Sequence, residues 1–319
     1  MSKRKFSIVI PTYDSETTLR KCLASLFSQK SKSIEVIVVD GGSKDRTIDI
    51  ASDFDDVVLI RNKISHYPGS SRNLGAEQAE GDTILFLDSD CRAHRMLLTY
   101  HEKAFYATRR CDGVQGVLRS AHNDALSRTI ESQFLTQYWI DNLREDGTIR
   151  FYSAAVSNLS LDKQVFLENK FSEDLSSCDD IELFMKLRRK RARVIFEPRA
   201  VAYHQHPRNL RDLFDQRKWY GQGFVELNKK YPNVRFRKTS MFGTSKRYLT
   251  APEHELFHMV KEDHRALCHG CPLELCGIVS KKLPTRQEMN SKYLRQITCL
   301  GFAAGILRER VELDYDWTM

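Results

Sequence analysis

No window of the 319-residue chain approaches the roughly 20 consecutive apolar residues that a membrane-spanning helix needs. The basic opening, MSKRKFSIVIPTYD, offers only Phe6 to Ile10 before Pro11. That run is too short for the apolar stretch of a secretory leader and reads instead as a strand. A disulfide framework is also missing. Of the eight cysteines, Cys22, Cys91, Cys111, Cys178 and Cys299 stand singly within predicted elements, as reduced, packed thiols do. Internal repeats and low-complexity tracts are lacking, and no nucleic-acid-binding motif accompanies the basic charge. The expectation is a cytoplasmic protein, able at most to rest peripherally on the inner membrane face.

Hydrophobic content of 41% and aromatics at 10% describe a globular chain able to bury a sizeable core. The net charge of +8 favours anionic partners such as nucleotides and phosphates. The first half alternates strand and helix signals. Apolar runs at 6–10, 34–39, 57–60 and 83–87 are separated by helical patterns at 17–29, from a Ser43 N-cap to about Ala51, and at 70–80. Strands that are apolar throughout, separated by helices, predict a mainly parallel sheet covered on both faces. Further on, 151–166 reads as strand, turn and short helix, and 179–193 as a helix with acids first and bases last. Residues 194–198 and 200–207 read as two short strands. A helix over 210–232 is predicted to be interrupted around Gly221 and Gly223. The strand–helix rhythm fades beyond 233.

The stretch ILFLDSDCR, residues 84–92, runs four apolar residues into Asp88, Ser89 and Asp90. Two acids one residue apart fit either a solvated turn or a site for a hard divalent cation. In a parallel sheet ligands collect at the carboxyl ends of strands. Pro11, Thr12, Asp40 and Asp88 all fall at such ends, which favours the cation site.

Four ordered segments carry a resemblance. SIVIPTYDSETTLRKCLASLFSQ, IEVIVVDGGSKDRT, GSSRNLGAEQAEGDTILFLDSD and SCDDIELFMKLRR resemble successive signatures of the family 2 glycosyltransferases of GT-A fold, over about two thirds of the chain. The resemblance implies a Rossmann-like α/β domain, residues 1–232, with a mixed, mainly parallel sheet flanked by helices. An appended, mostly helical or irregular segment would follow at 233–319. It implies an inverting, metal-dependent transferase that moves a sugar from a nucleotide-sugar donor to a hydroxyl of a saccharide or lipid-linked saccharide. A UDP-sugar is favoured as donor and GDP-mannose comes next. By the same resemblance Pro11, Thr12, Tyr13, Glu16, Asp40, Gly42, Arg72, Asp88 and Ser89 would bind the donor. Asp90, Asp88 and one of His204 or His206, with His204 preferred, would hold Mn²⁺ or Mg²⁺. Asp180 would be the general base, beside Asp179, where the family more often has Glu. Trp219 could stack on an acceptor sugar or pack its helix. A polyprenyl-phosphate sugar transferase and a non-catalytic nucleotide-sugar-binding protein are the alternatives, and nucleic acid is not an expected partner.

Two features fall outside that frame. The run KLRRKRAR, 186–193, is either a solvated helix end or a patch for anionic lipid. In the tail Cys268, Cys271 and Cys276, among several histidines, raise the question of structural zinc without a clear second ligand pair.

Overall fold

The structure, a computed structural model, describes residues 4–29, 34–131 and 155–232. The expectations for 233–319, zinc included, and for residues 151–154 lie outside the described residues. Those described fall into two compact units. The first comprises 4–29, 34–122, 155–174 and 179–206, and the second 123–131, 175–178 and 207–232.

The first unit contains one eight-stranded sheet. Its strands are β1 (Phe6–Thr12), β2 (Ile34–Asp40), β3 (Val57–Arg61), β4 (Thr83–Phe86), β5 (Cys91–Ala93), β6 (Gly113–Ser120), β7 (Leu159–Asp162) and β8 (Val194–His204). Their order in space is β3-β2-β1-β4-β7-β6-β8-β5. The first four are parallel, β7 runs antiparallel to both its neighbours, β6 and β8 are parallel, and β5 returns antiparallel to β8. The helices are α1 (Leu19–Phe27), α2 (Thr47–Ser52), α3 (Pro68–Gln78), α4 (Leu97–Tyr106), α6 (Lys163–Leu167) and α7 (Asp179–Arg189). The second unit contributes α5 (Ala125–Ile130) and α8 (Leu210–Lys230).

Alternation along the strands divides the core between two faces. Ile8, Ile10, Val36, Val38 and Leu85 pack with Leu19, Leu23 and Leu97 on one. Val9, Ile37, Val39, Ile84 and Phe86 pack with Ala76, Phe166, Leu183 and Leu187 on the other. Both faces are buried, which is why these strands are apolar throughout. The mixed, mainly parallel sheet flanked by helices agrees with the expected fold class.

Three local expectations need correction. Ser43 does not cap α2, which starts at Thr47; its N–H and hydroxyl bind the Asp40 carboxylate instead. The two short strands after 194 are one, β8, and Pro198 falls within its register shift against β6, where pairing jumps from Gln115–Phe196 to Val117–Val201. The glycines of α8 do not interrupt it. A side-chain carbon at Gly223 would fall 2.1 Å from Ser177 Oγ, so this glycine serves close packing rather than a break.

Gly75 shows how tightly α3 sits on the sheet. A methyl there would lie 2.5 Å from Val9 Cγ1 and 3.0 Å from Val39 Cγ2. Both neighbours are β-branched and locked in the core, so neither can swing away. Gly75→Ala is therefore expected to lower stability by about 1–3 kcal/mol in urea unfolding, despite alanine's better helix propensity.

Candidate active site

The carboxyl ends of β1, β2 and β4 supply one rim of the site. Pro11 and Thr12 are buried at the end of β1, and Gly41 N–H donates to the Thr12 carbonyl at 2.8 Å. Tyr13 follows, half-exposed, with its ring centroid 6.0 Å from that of His66. Asp40, 1% exposed, ends β2. Its carboxylate accepts from Gly42 N–H at 3.0 Å, from Ser43 N–H at 3.1 Å and from the Ser43 hydroxyl. Gly42 has φ +98°, a conformation that suits glycine and turns those donors back onto the acid. Glu16 is exposed and accepts from Arg46 N–H at 3.2 Å, tying the start of α1 to the loop before α2. Ser89 shares a 2.9 Å hydroxyl contact with Ser15.

The strand-end acids have different surroundings. Asp88 Oδ1 accepts from Arg72 Nη2 at 2.7 Å, and Oδ2 accepts from the Ser157 hydroxyl. Burial pushes this carboxyl up, but Arg72 and then Ser157 outweigh it and hold Asp88 below the ordinary carboxylate range. Asp90 keeps 37% of its side chain exposed, and its Oδ2 lies 3.3 Å from His204 Nε2. Backbone pairing causes this meeting. β5 aligns Cys91 with His204, and Gln205 N–H donates to the Asp90 carbonyl at 3.1 Å. His204 Nδ1 lies 3.0 Å from His206 Nδ1. Between the two candidate histidines, His204 is the one facing Asp90.

Among the described residues, Asp90, Cys91 and His204 can bring one ligand atom each within 4.8 Å of one another. Burial, with Asp90 and Asp88 nearby, pushes the Cys91 thiol well up, so it stays protonated. The usable donors are then a carboxylate and an imidazole. Carboxylate and water oxygens suit Mn²⁺ or Mg²⁺, and a carboxylate–imidazole pair leaves positions for phosphate and water oxygens. The donor set therefore fits the expected ion through Asp90 and His204, with Asp88 two positions before Asp90 and both its oxygens engaged.

The opposite rim is the start of α7. Asp179 is 6% exposed and its Oδ2 accepts from Arg72 Nη1 at 2.7 Å. Burial raises its affinity for a proton, partly offset by Arg72. Asp180, half-buried, accepts from Ile181 N–H at 2.7 Å. Burial first and the Asp179 charge second push it up to about 7. Arg72 itself is 4% exposed on α3, not a surface cation. Asp88, Arg72, Asp179 and Asp180 thus share one electrostatic neighbourhood. Sequence reasoning missed Ser157 and His66; each enters the site from a loop with no motif around it. Trp219 belongs to the second unit, where it is 39% exposed with its ring centroid 5.6 Å from Tyr220.

Asp90→Ala and His204→Ala are each expected to weaken Mn²⁺ binding by about tenfold or more in isothermal titration with a nucleoside diphosphate present. Cys91→Ala should leave Mn²⁺ affinity within about twofold, because a buried neutral thiol is no ligand for a hard ion.

Comparison with known proteins extends these observations. Residues 7–160 match Glycosyl transferase family 2. The pre-mycofactocin glycosyltransferase of Mycobacterium tuberculosis is 28% identical over 242 residues, covering 73% of this chain and 49% of that protein. The chain spans between 29% and 55% of the length of the curated relatives it matches first. Among solved structures, Staphylococcus aureus TarS 1–349 superposes with a TM-score of 0.56 at 20% identity, covering 98% of this chain and 93% of that one. It has also been solved with UDP and with UDP-GlcNAc. The mannosyltransferase PcManGT of Pyrobaculum calidifontis, in complex with GDP-Man and Mn²⁺, superposes with a TM-score of 0.64 at 17% identity, covering 97% and 88%. With the sheet order, the strand-end acids and the matched residues in agreement, this chain has the GT-A fold, and its residues 7–160, just under half of its length, form a family 2 glycosyltransferase domain.

Proposed function

We propose that the chain is an inverting glycosyltransferase that moves a sugar from a nucleotide-sugar donor to an acceptor hydroxyl. The observation that carries this reading is the division of charge across one neighbourhood. Asp88 is held ionised by Arg72 on the strand side, while Asp180 is poised near neutrality at the start of α7. Paired carboxyls whose environments push them apart mark the separate roles of a binding group and a base.

In this reading Asp40, Tyr13 and the turn around Gly42 receive the nucleoside, and Asp90 with His204 would hold Mn²⁺ or Mg²⁺ against the diphosphate. The ion supplies neutralisation of charge on the leaving group. Asp180 accepts the acceptor hydroxyl's proton. The freed oxygen forms a bond to the anomeric carbon as the bond from that carbon to the diphosphate oxygen breaks, and its electron pair leaves with the nucleoside diphosphate. One displacement inverts the anomeric centre. UDP-sugars are the first donors to test, supported by the UDP and UDP-GlcNAc bound to TarS, and GDP-mannose is next, supported by the PcManGT complex.

For the acceptor we propose a saccharide or lipid-linked saccharide. No helix among the described residues is long and apolar enough to cross a membrane. Peripheral attachment in the cytoplasm would rest on the exposed Arg188, Arg189, Lys190 and Arg191. These lie at the far end of α7 from Asp180, about 15 Å along the helix, so a surface bound there would not itself cover the base.

Asp180→Asn should bind UDP and Mn²⁺ like the parent chain but lose transfer by a factor of about 10² or more, measured by release of the nucleoside diphosphate. A base must be deprotonated, so kcat/KM of the parent should climb with pH through about 7 and level above it. Asp179→Asn removes the like charge that helps raise Asp180. Its acid limb should therefore move to lower pH; an unmoved limb in both variants would rule out Asp180 as the base.

A further inference from the structure

Gly69, Arg72 and Asn73 stand three and four residues apart and share one face of α3. All three meet residues of the first unit among Phe171, Ser172, Glu173 and Asp179. A side-chain carbon at Gly69 would lie 3.1 Å from Phe171 Cβ and 3.2 Å from Asp179 Oδ2. Asn73 accepts from Phe171 N–H and donates to the Phe171 carbonyl, each at 3.0 Å. Arg72 lies with its guanidinium carbon 5.5 Å from the Phe171 ring centroid. One terminal nitrogen donates to Asp179 and the other to Asp88, both at 2.7 Å, and Nε is buried without a hydrogen-bond partner.

A guanidinium placed to grip a ligand phosphate presents an open pair of N–H groups. Arg72 does not, because both terminal nitrogens end on protein carboxylates and 4% of the residue is exposed. Its planar fork has fixed geometry, so two acids bound to its two ends are held at a set separation and angle. Those acids come from the two rims of the site.

We infer that Arg72 is a clasp: a positioning residue that joins the strand-end acid Asp88 to the helix-start acid Asp179 and so holds the base Asp180 in register with the nucleotide rim. It touches no reacting atom. The charges facing Asp180 are Asp179 on its own helix, Arg72 from α3 and Asp88 from the end of β4. Of these Arg72 alone is positive, and it favours the ionised base. The clasp itself is independent of the transferase reading, but its kinetic consequence rests on that reading.

The test uses the full chain with carboxyl-¹³C-labelled aspartate, as parent, Arg72→Met and Arg72→Lys. The Asp180 resonance, assigned by its loss in Asp180→Asn, is titrated by NMR without donor. The midpoint should rise by about one pH unit in Arg72→Met. In Arg72→Lys, which keeps charge but loses the fork, kcat should fall about tenfold while donor KM stays within about threefold. An unmoved Asp180 midpoint in Arg72→Met overturns the clasp, as does a raised donor KM with kcat retained in Arg72→Lys, which would make Arg72 a donor ligand. If Arg72→Met does not fold, the Arg72→Lys split of kcat from KM decides alone. If the parent titrates but transfers no sugar from UDP or GDP donors, the transferase reading fails, and the NMR titration still decides the clasp.

Discussion

One buried positive charge makes the rest of this site tenable. Asp88, Asp179 and Asp180 crowd one another, and carboxylates removed from water without a partner are costly. Arg72 answers two of them directly and the third through space. Removing one partner of such a buried set typically costs about 3–5 kcal/mol, because the others are left uncompensated. The packing around it is correspondingly close, with Gly69 and Gly75 leaving α3 no room to shift against the α7 start or the sheet.

The same arrangement creates chemical asymmetry. A guanidinium that donates to both Asp88 and Asp179 cannot equalise all three acids. Asp88 gains a second donor in Ser157 and stays ionised. Asp180 accepts from the backbone amide of Ile181 and sits beside an acid, so burial and repulsion dominate. On the outer side Asp90 stays accessible and meets His204 because β5 and β8 pair there, three residues long. Sheet topology, rather than local sequence, brings positions 90 and 204 together.

Much of this was legible in the chain. The apolar runs of β1, β2 and β4 announced a sheet buried on both faces, and the acids at the end of β2 and just after β4 announced a site. What stayed hidden was long-range. Residues 91–131 carry β5, α4, β6 and α5 without a motif, and β7 inserts antiparallel beside β4, a pairing that no periodicity specifies. Arg72 read equally well as a surface cation or a ligand group, since the helix pattern of α3 does not say that its polar residues are buried. Ser43 looked like a helix cap because a hydroxyl before a helical run usually is one; here the Asp40 carboxylate competes for it and wins.

The central claim is that one cleft of the first unit brings a cation held by Asp90 and His204 together with a base at Asp180. A crystal structure of the chain with Mn²⁺, a UDP-sugar and Asp180→Asn in place tests it most directly. The account predicts an anomalous manganese peak bonded to Asp90 and His204, the diphosphate beside it, and residue 180 facing the anomeric carbon on the side away from the leaving oxygen. Manganese bound elsewhere, or residue 180 on the same side of the sugar as the diphosphate, would contradict it.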